Sequence, residues 1–288
     1  MTSRDTPFQK IQQYIIAQKI IPEDKISLLP RGWKRVGQIG ILELKPKLLE
    51  WKKEIGKVYL KFLPELRTIA HKTGITTTST RIPDFEILAG EQKAITLHKE
   101  LGCKFWIDAF KLTFSSGNHA ERKRMINISQ KGEQVVDMFA CVGNLSIPLA
   151  VHNPTTKVIG IEINPVAHKY LIKNIQENHL EGRYHPILGD NRKVTPKNWA
   201  DRVIMGYFNI DTIQLSNALA SLQQDRGGSI HAHGLSSSQL PSDWDSAMTN
   251  IIETSFPHFK IISNEKRIIK TVAAGIQHFV NDFYIESI

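Results

Sequence analysis

The sequence predicts an α/β chain in two parts: a Rossmann-like parallel sheet wrapped by helices over residues 116–288, preceded by a smaller α+β domain over residues 1–115. Three observations predict it. Short apolar segments alternate with helix-like ones through the second half. The first of them, Gln134 to Phe139, runs into the turn Ala140-Cys-Val-Gly143 ahead of a helix, which is where an open α/β sheet places its ligand crevice. The charge also divides: residues 1–130 carry 23 Lys and Arg against 13 Asp and Glu, the remaining 158 carry 14 against 15, and the excess behind the net +9 lies wholly in the first part.

In the first part, apolar residues at helical spacing from Phe8 to Ile20 predict a helix, and Ile39-Gly-Ile-Leu-Glu-Leu44 a short strand ended by Lys45-Pro46. An amphipathic helix is expected from Lys47 to His71, with Leu48, Leu49, Ile55, Val58, Leu60 and Leu63 facing the core and Pro64 as a kink or break. Thr76 to Ile82 is β-branched and strand-like, Pro83-Asp84 reads as a turn, and Lys104 to Phe114 as a long strand. The basic residues here, including Lys34, Arg35, Lys45, Lys47, Lys52 and Lys53, suit a polyanion such as RNA, since phosphate contacts supply affinity without reading sequence. A solvated surface with no partner is the plainer alternative.

In the second part the strands are expected at Gln134 to Phe139, Val158 to Ile163, Tyr184 to Leu188, Asp201 to Met205 and Ser229 to His233. Phe259 to Ser263 and His278 to Ile285 complete the sheet. No apolar run reaches the roughly 18 residues of a membrane span, and the N-terminus lacks the apolar core of a secretory signal, so a cytoplasmic location away from membranes is expected. Cys103 and Cys141 form neither a disulfide framework nor a paired metal-ligand spacing, so no metal is expected.

Three successive strand ends carry residues suited to one nucleoside. Asp137 and Gly143 bracket the first turn, where glycine lets the backbone approach a ligand. Glu162 ends the second strand, where a carboxylate can accept hydrogen bonds from both ribose hydroxyls, and Gly189-Asp190-Asn191 ends the third, where a side chain can receive the amine of adenine. A dinucleotide would require G-x-G-x-x-G, and this turn offers one glycine. Each residue alone could equally be a helix cap or a solvated loop carboxylate.

Ordered motifs extend this pattern from Arg81 to His233: Ile87-Leu-Ala-Gly-Glu91, His98-Lys-Glu-Leu-Gly-Cys-Lys-Phe105, Phe114-Ser-Ser-Gly-Asn118, Glu121-Arg122, Asp137-Met-Phe-Ala140, Glu162-Ile-Asn-Pro165 and Gly189-Asp-Asn191. In these the chain resembles the transferases that modify the purine 3′ of the tRNA anticodon. That group includes guanosine N1-methyltransferases and wybutosine-pathway aminocarboxypropyl transferases. The resemblance implies a class I S-adenosylmethionine-dependent fold, with S-adenosylmethionine as donor and no metal. It assigns Ser115, Arg122, Glu162, Asp190 and Asn191 to that donor, and it implies tRNA(Phe), at its anticodon loop, as the partner, with no protein partner. Arg122 would pair with a carboxylate, either the donor's or the protein's own.

The fourth strand end separates the two branches. The methyltransferase branch has an Asn-x-Pro type motif there to hold the target guanine, whereas this chain has Met205-Gly206-Tyr-Phe-Asn209. Gly206 resembles the aminocarboxypropyl branch, as does Gly227-Gly-Ser-Ile-His-Ala-His233. That branch displaces sulfur at the methionine γ-carbon rather than the methyl group, a choice set by which carbon lies in line with the acceptor. Glu121 and Asp137 are candidate bases by position, with a structural role for Glu121 equally open. A nucleic-acid-binding protein with a degenerate nucleotide fold is the non-catalytic alternative. Cys141 departs from the family, whose members usually have Gly there; it either packs on the next helix or narrows the turn.

Overall fold

The computed structural model describes residues 5–75, 83–112, 114, 116–237 and 244–288. The chain divides into two compact units, Met1–Lys99 with Phe105–Ser116, and Glu100–Lys104 with Gly117–Ile288.

In the first unit, helix α1 (Pro7–Ala17) starts at a capping box in which the Thr6 hydroxyl accepts from the Gln9 N–H and the Gln9 side chain accepts from the Thr6 N–H, with Pro7 at the first helical position. Strands β1 (Lys34–Val36) and β2 (Ile39–Leu42) form a hairpin around Gly37, at φ +55°. Helix α2 (Lys52–Phe62) crosses to β3 (Thr68–Ile75), which pairs parallel to β2, and β4 (Pro83–Gly90) adds antiparallel at the edge. Strands β5 (Ile95–Glu100) and β6 (Cys103–Asp108) make a two-stranded ribbon. Ile11, Ile15, Leu48, Ile55, Tyr59 and Ile69 centre the core between the helices and the four-stranded sheet.

Three expectations need correction here. The helix predicted from Lys47 to His71 begins as a 3-10 turn at Pro46–Trp51 and stops at Phe62, because Pro64 cannot continue it; Thr68 to His71 instead pair with β2. Pro83-Asp84 is not a turn but the start of β4, where an edge strand tolerates a proline at its first position. The long strand predicted from Lys104 to Phe114 ends at Asp108, whose carboxylate accepts the Phe110 N–H at 3.1 Å and turns the chain. The strand expected at Thr76 to Ile82 lies outside the described residues. Some of the basic side chains are paired within the unit, with Glu43 on Lys34 and Glu86 on both Lys52 and Lys53, while Lys45 and Lys47 are exposed.

The second unit opens with α3 (His119–Ile128) and then alternates β7 (Gln134–Asp137), α4 (Ser146–His152), β8 (Lys157–Glu162), α5 (Pro165–Glu177), β9 (Tyr184–Leu188), α6 (Asn191–Val194), β10 (Arg202–Met205), α7 (Thr212–Ser221) and β11 (Gly228–Ser237). It closes with α8 (Trp244–Ser255) and the hairpin β12 (Phe259–Ala273) and β13 (Ile276–Ser287). The sheet order is β12-β13-β11-β10-β7-β8-β9, with β11 to β9 parallel and β13 antiparallel to its neighbours. Both last strands are longer than their apolar cores suggest, since their outer residues are held by pairing rather than burial. Val136, Ile161, Val203, Ile230 and Phe283 fill the core. Among the described residues no helix is long and apolar enough to cross a membrane.

Gly56 gives a test of packing against propensity. Replacing a helical glycine by alanine gains about 1 kcal/mol in an exposed helix, but a Cβ here would lie 2.5 Å from Leu88 Cβ. Gly56→Ala is expected to destabilise the protein by about 1–2 kcal/mol, as overpacking does, measured as a lowered urea midpoint; a raised midpoint would contradict this packing.

Candidate active site at the strand ends

The carboxyl ends of β7, β8, β9 and β10 gather most of the residues expected from the sequence. Asp137, the last residue of β7, is fully buried; its Oδ1 accepts the Phe139 N–H at 3.2 Å and its Oδ2 accepts the Ser146 hydroxyl at 2.6 Å. Ser146 is also 2.8 Å from the Tyr184 hydroxyl. Burial, reinforced by the charge of Glu162, pushes the Asp137 carboxyl up to about 6 against the pull of those hydrogen bonds.

Glu162 ends β8 and ties two loops together: Oε2 accepts the Cys141 N–H and Oε1 the Asn164 N–H, each at 2.7 Å. Burial raises its pKa from the ordinary glutamate value, against the pull of the backbone N–H groups it accepts from. Neither Asp137 nor Glu162 forms an ion pair among the described residues, so this corner of the sheet holds two carboxylates without a protein cation. Cys141 adopts φ +51°, a left-handed conformation that suits glycine, and burial pushes its thiol up to about 12. Gly143 lies at φ +91°, and a Cβ there would sit 2.3 Å from Ile147 Cδ1, so the turn demands glycine.

Asp190 caps α6 and is held by Arg192 through its backbone N–H at 3.0 Å and its guanidinium at 2.8–3.1 Å. Asn191 is buried with both ends of its amide used, donating to the Met138 carbonyl and accepting from Gln214. Ile163 and Leu188, at the ends of β8 and β9, expose apolar side chains. Arg122 is buried in α3 and pairs with Glu100 at 2.7 Å, a carboxylate of the protein itself. Ser115 lies outside the described residues. Gly206, after β10, is exposed; a Cβ there would meet only Leu145 Cδ1, at 3.3 Å, and the next residue, Tyr207, stacks on Phe139 at 5.1 Å.

Ser146 and Tyr184 are the residues the sequence reading misses. A signal exists in Gly160: within β8, a Cβ there would meet the Tyr184 hydroxyl at 2.4 Å, and glycine inside a strand marks a close approach. Among the described residues no group of three or more His, Cys, Asp or Glu is arranged to hold a metal ion.

The family described as TRM5/TYW2 methyltransferase domain matches residues 96–279, and the TYW2 N-terminal domain matches residues 13–93. The chain is 36% identical over 270 residues, covering 94% of itself and 95% of the relative, to the tRNA(Phe) (4-demethylwyosine(37)-C(7)) aminocarboxypropyltransferase of Pyrococcus horikoshii. Its fold is similar to that of P. horikoshii TYW2 in complex with MeSAdo, with a TM-score of 0.82 at 32% identity over 97% of this chain and 99% of that one. M. jannaschii TYW2 in complex with AdoMet gives a TM-score of 0.69 at 34% identity over 89% and 100%.

Ser146→Ala would leave Asp137 short of a hydrogen bond in a buried setting. A loss of about 1.5–3 kcal/mol is expected, the range for hydrogen bonds to charged groups. Urea denaturation beside wild type measures it, and an unchanged midpoint would remove Ser146 from this account.

Proposed function

The chain belongs to the TRM5/TYW2 methyltransferase-domain family, and from that premise we propose that it is an S-adenosylmethionine-dependent aminocarboxypropyl transferase acting on tRNA. It transfers the 3-amino-3-carboxypropyl group to C7 of 4-demethylwyosine at position 37 of tRNA(Phe), in the anticodon loop, and releases methylthioadenosine. The observation that carries the choice of branch is Gly206, which puts no polar side chain at the end of β10 to hold a guanine for methylation.

The donor fits the residues present. A buried carboxylate, Asp137, and a half-buried one, Glu162, neither of them in an ion pair among the described residues, suit a ligand that is positively charged and rich in hydroxyl donors. Glu162 would accept the ribose hydroxyls with the lone pairs its backbone partners leave, and Ile163 and Leu188 would flank the adenine. Asp190 would receive the adenine amine while sharing its charge with Arg192. Asp137 would sit nearest the methionine portion, with Gly143 allowing the backbone to approach. S-adenosylmethionine brings a sulfonium, a leaving group already activated by its charge, so the protein's main task is to present one carbon of three to the acceptor. The basic first unit, with Lys45 and Lys47 exposed, suits tRNA phosphates.

The product decides between branches. Protein mixed with S-adenosylmethionine and precursor-bearing tRNA is expected to release methylthioadenosine, detected by chromatography; S-adenosylhomocysteine would replace this reading with the tRNA guanosine-37 N1-methyltransferase.

Donor affinity should depend on pH with a definite sign. Asp137 is neutral below about 6 and charged above it, and a cationic ligand favours the charged form. Affinity for S-adenosylmethionine is therefore expected to fall as the pH drops from 7.5 to 5, with protons released on binding near pH 6. Calorimetry in two buffers of different ionisation enthalpy measures both, and Asp137→Asn should flatten the dependence.

A further inference from the structure

Strands β11 and β13 carry buried side chains that the donor site does not use. His233 and His278 are almost wholly buried, and His233 Nδ1 lies 2.9 Å from His278 Nε2. On its other side His233 Nε2 faces Glu121 Oε1 of α3 at 4.0 Å. Arg124 holds that carboxylate at 2.5 and 2.9 Å and binds Asp282 of β13 at 3.0 and 3.1 Å. Among the described residues His233 Nε2 and His278 Nδ1 have no hydrogen-bond partner.

These positions order the protons. A carboxylate opposite His233 Nε2 favours a proton on that nitrogen, so Nδ1 accepts, His278 Nε2 donates, and His278 Nδ1 keeps a bare lone pair inside the protein. The His278 ring is also the one against which the loop after β10 packs: Phe208, two residues beyond Gly206, meets it edge-on at 4.8 Å. Burial and the charge of Lys270 push His278 down to about 4. Burial, with the charges of His278, His231 and Arg124 and against that of Asp282, holds His233 well below the usual histidine range. Both rings are therefore neutral near pH 7.

Building on the proposed function, we infer that His278 is the base that takes the proton from the acceptor carbon, with His233 and Glu121 as positioning residues that set its tautomer. C7 bonds to the γ-carbon of the transferred group as the γ-carbon–sulfur bond breaks, its electron pair leaving on sulfur. The C7–H pair returns to the ring system and the proton moves to His278 Nδ1. The proton stays on His278, whose Nε2–H remains hydrogen-bonded to His233 Nδ1. Phe208 turns aside to admit the acceptor. The acid made at C7 by bond formation is strong, so a weakly basic imidazole suffices, and one kept neutral by burial is available across the physiological range.

The tautomers are read from the full chain without ligand by nitrogen-15 NMR of labelled histidines. His278 is expected to carry its proton on Nε2 and none on Nδ1; a proton on Nδ1 overturns the proposal. In single turnover with precursor-bearing tRNA, His278→Gln is expected to slow methylthioadenosine release by about 10²–10⁴-fold, the range for general base catalysis, with donor and tRNA affinities unchanged. His233→Gln should lower kcat by a smaller factor and leave KM alone. A His278→Gln protein that transfers at the wild-type rate overturns the assignment, as does one whose only defect is weaker binding. The proposed function fails separately, on wild-type protein that releases S-adenosylhomocysteine.

Discussion

At the mouth of a parallel sheet one carboxylate is buried, Asp137, and one half-buried, Glu162, with no ion pair to either among the described residues, and most of the local architecture follows from that constraint. Each oxygen must be met by a donor or the charge would be too costly to keep. Ser146 and the Phe139 N–H meet Asp137, and the Cys141 and Asn164 N–H groups meet Glu162. Those partners fix the first turn of α4, the loop after β7 and the entry to α5, so the crevice is shaped by the groups that satisfy its charges. The donors lower both pKa values only in part, so burial still leaves both carboxyls above their ordinary values.

A second set of charges lies under α3. Glu133 binds Arg202, Arg202 touches His231, His231 touches Asp282, and Asp282 binds Arg124 and Arg267. Exchanging such a buried ionic set for apolar side chains is often neutral or stabilising, so its contribution is to orientation more than to stability. It fixes α3 by its polar face, and α3 accordingly has few apolar residues to bury, Met125 being one. The same helix presents Glu121 to His233 and Arg122 to Glu100, which extends the ionic set along both sides of α3.

Much of the second unit was legible because parallel strands, covered on both faces, read as continuous apolar runs. Tyr184–Leu188 was placed to the residue, and the turn at Gly143 was visible from the glycine that its geometry requires. The first unit was harder. Thr68 to His71 continue a helical apolar spacing past Pro64, and only pairing with β2 makes them a strand. Asp108 ended β6 early through a local hydrogen bond that competes with the sheet. Apart from the glycine at Gly160, nothing local marked the hydrogen bonds of Ser146 to Asp137, Ser146 to Tyr184 and His233 to His278, whose partners lie 9, 38 and 45 residues apart along the chain.

Periodicity, one obligatory glycine, and acidic residues at successive strand ends are local properties, so the sequence by itself determined the sheet, its crevice and the kind of ligand that fits there. Gly206 belongs with them, because a missing side chain is a statement about one position. What only the tertiary structure decided is which groups are charged, paired or bare. Burial raises the pKa values of Asp137 and Glu162, Glu100 claims Arg122, and His233 is set between His278 and the Glu121 carboxylate. Those are consequences of distance and desolvation across elements far apart in the chain, and they arise only once the sheet has closed.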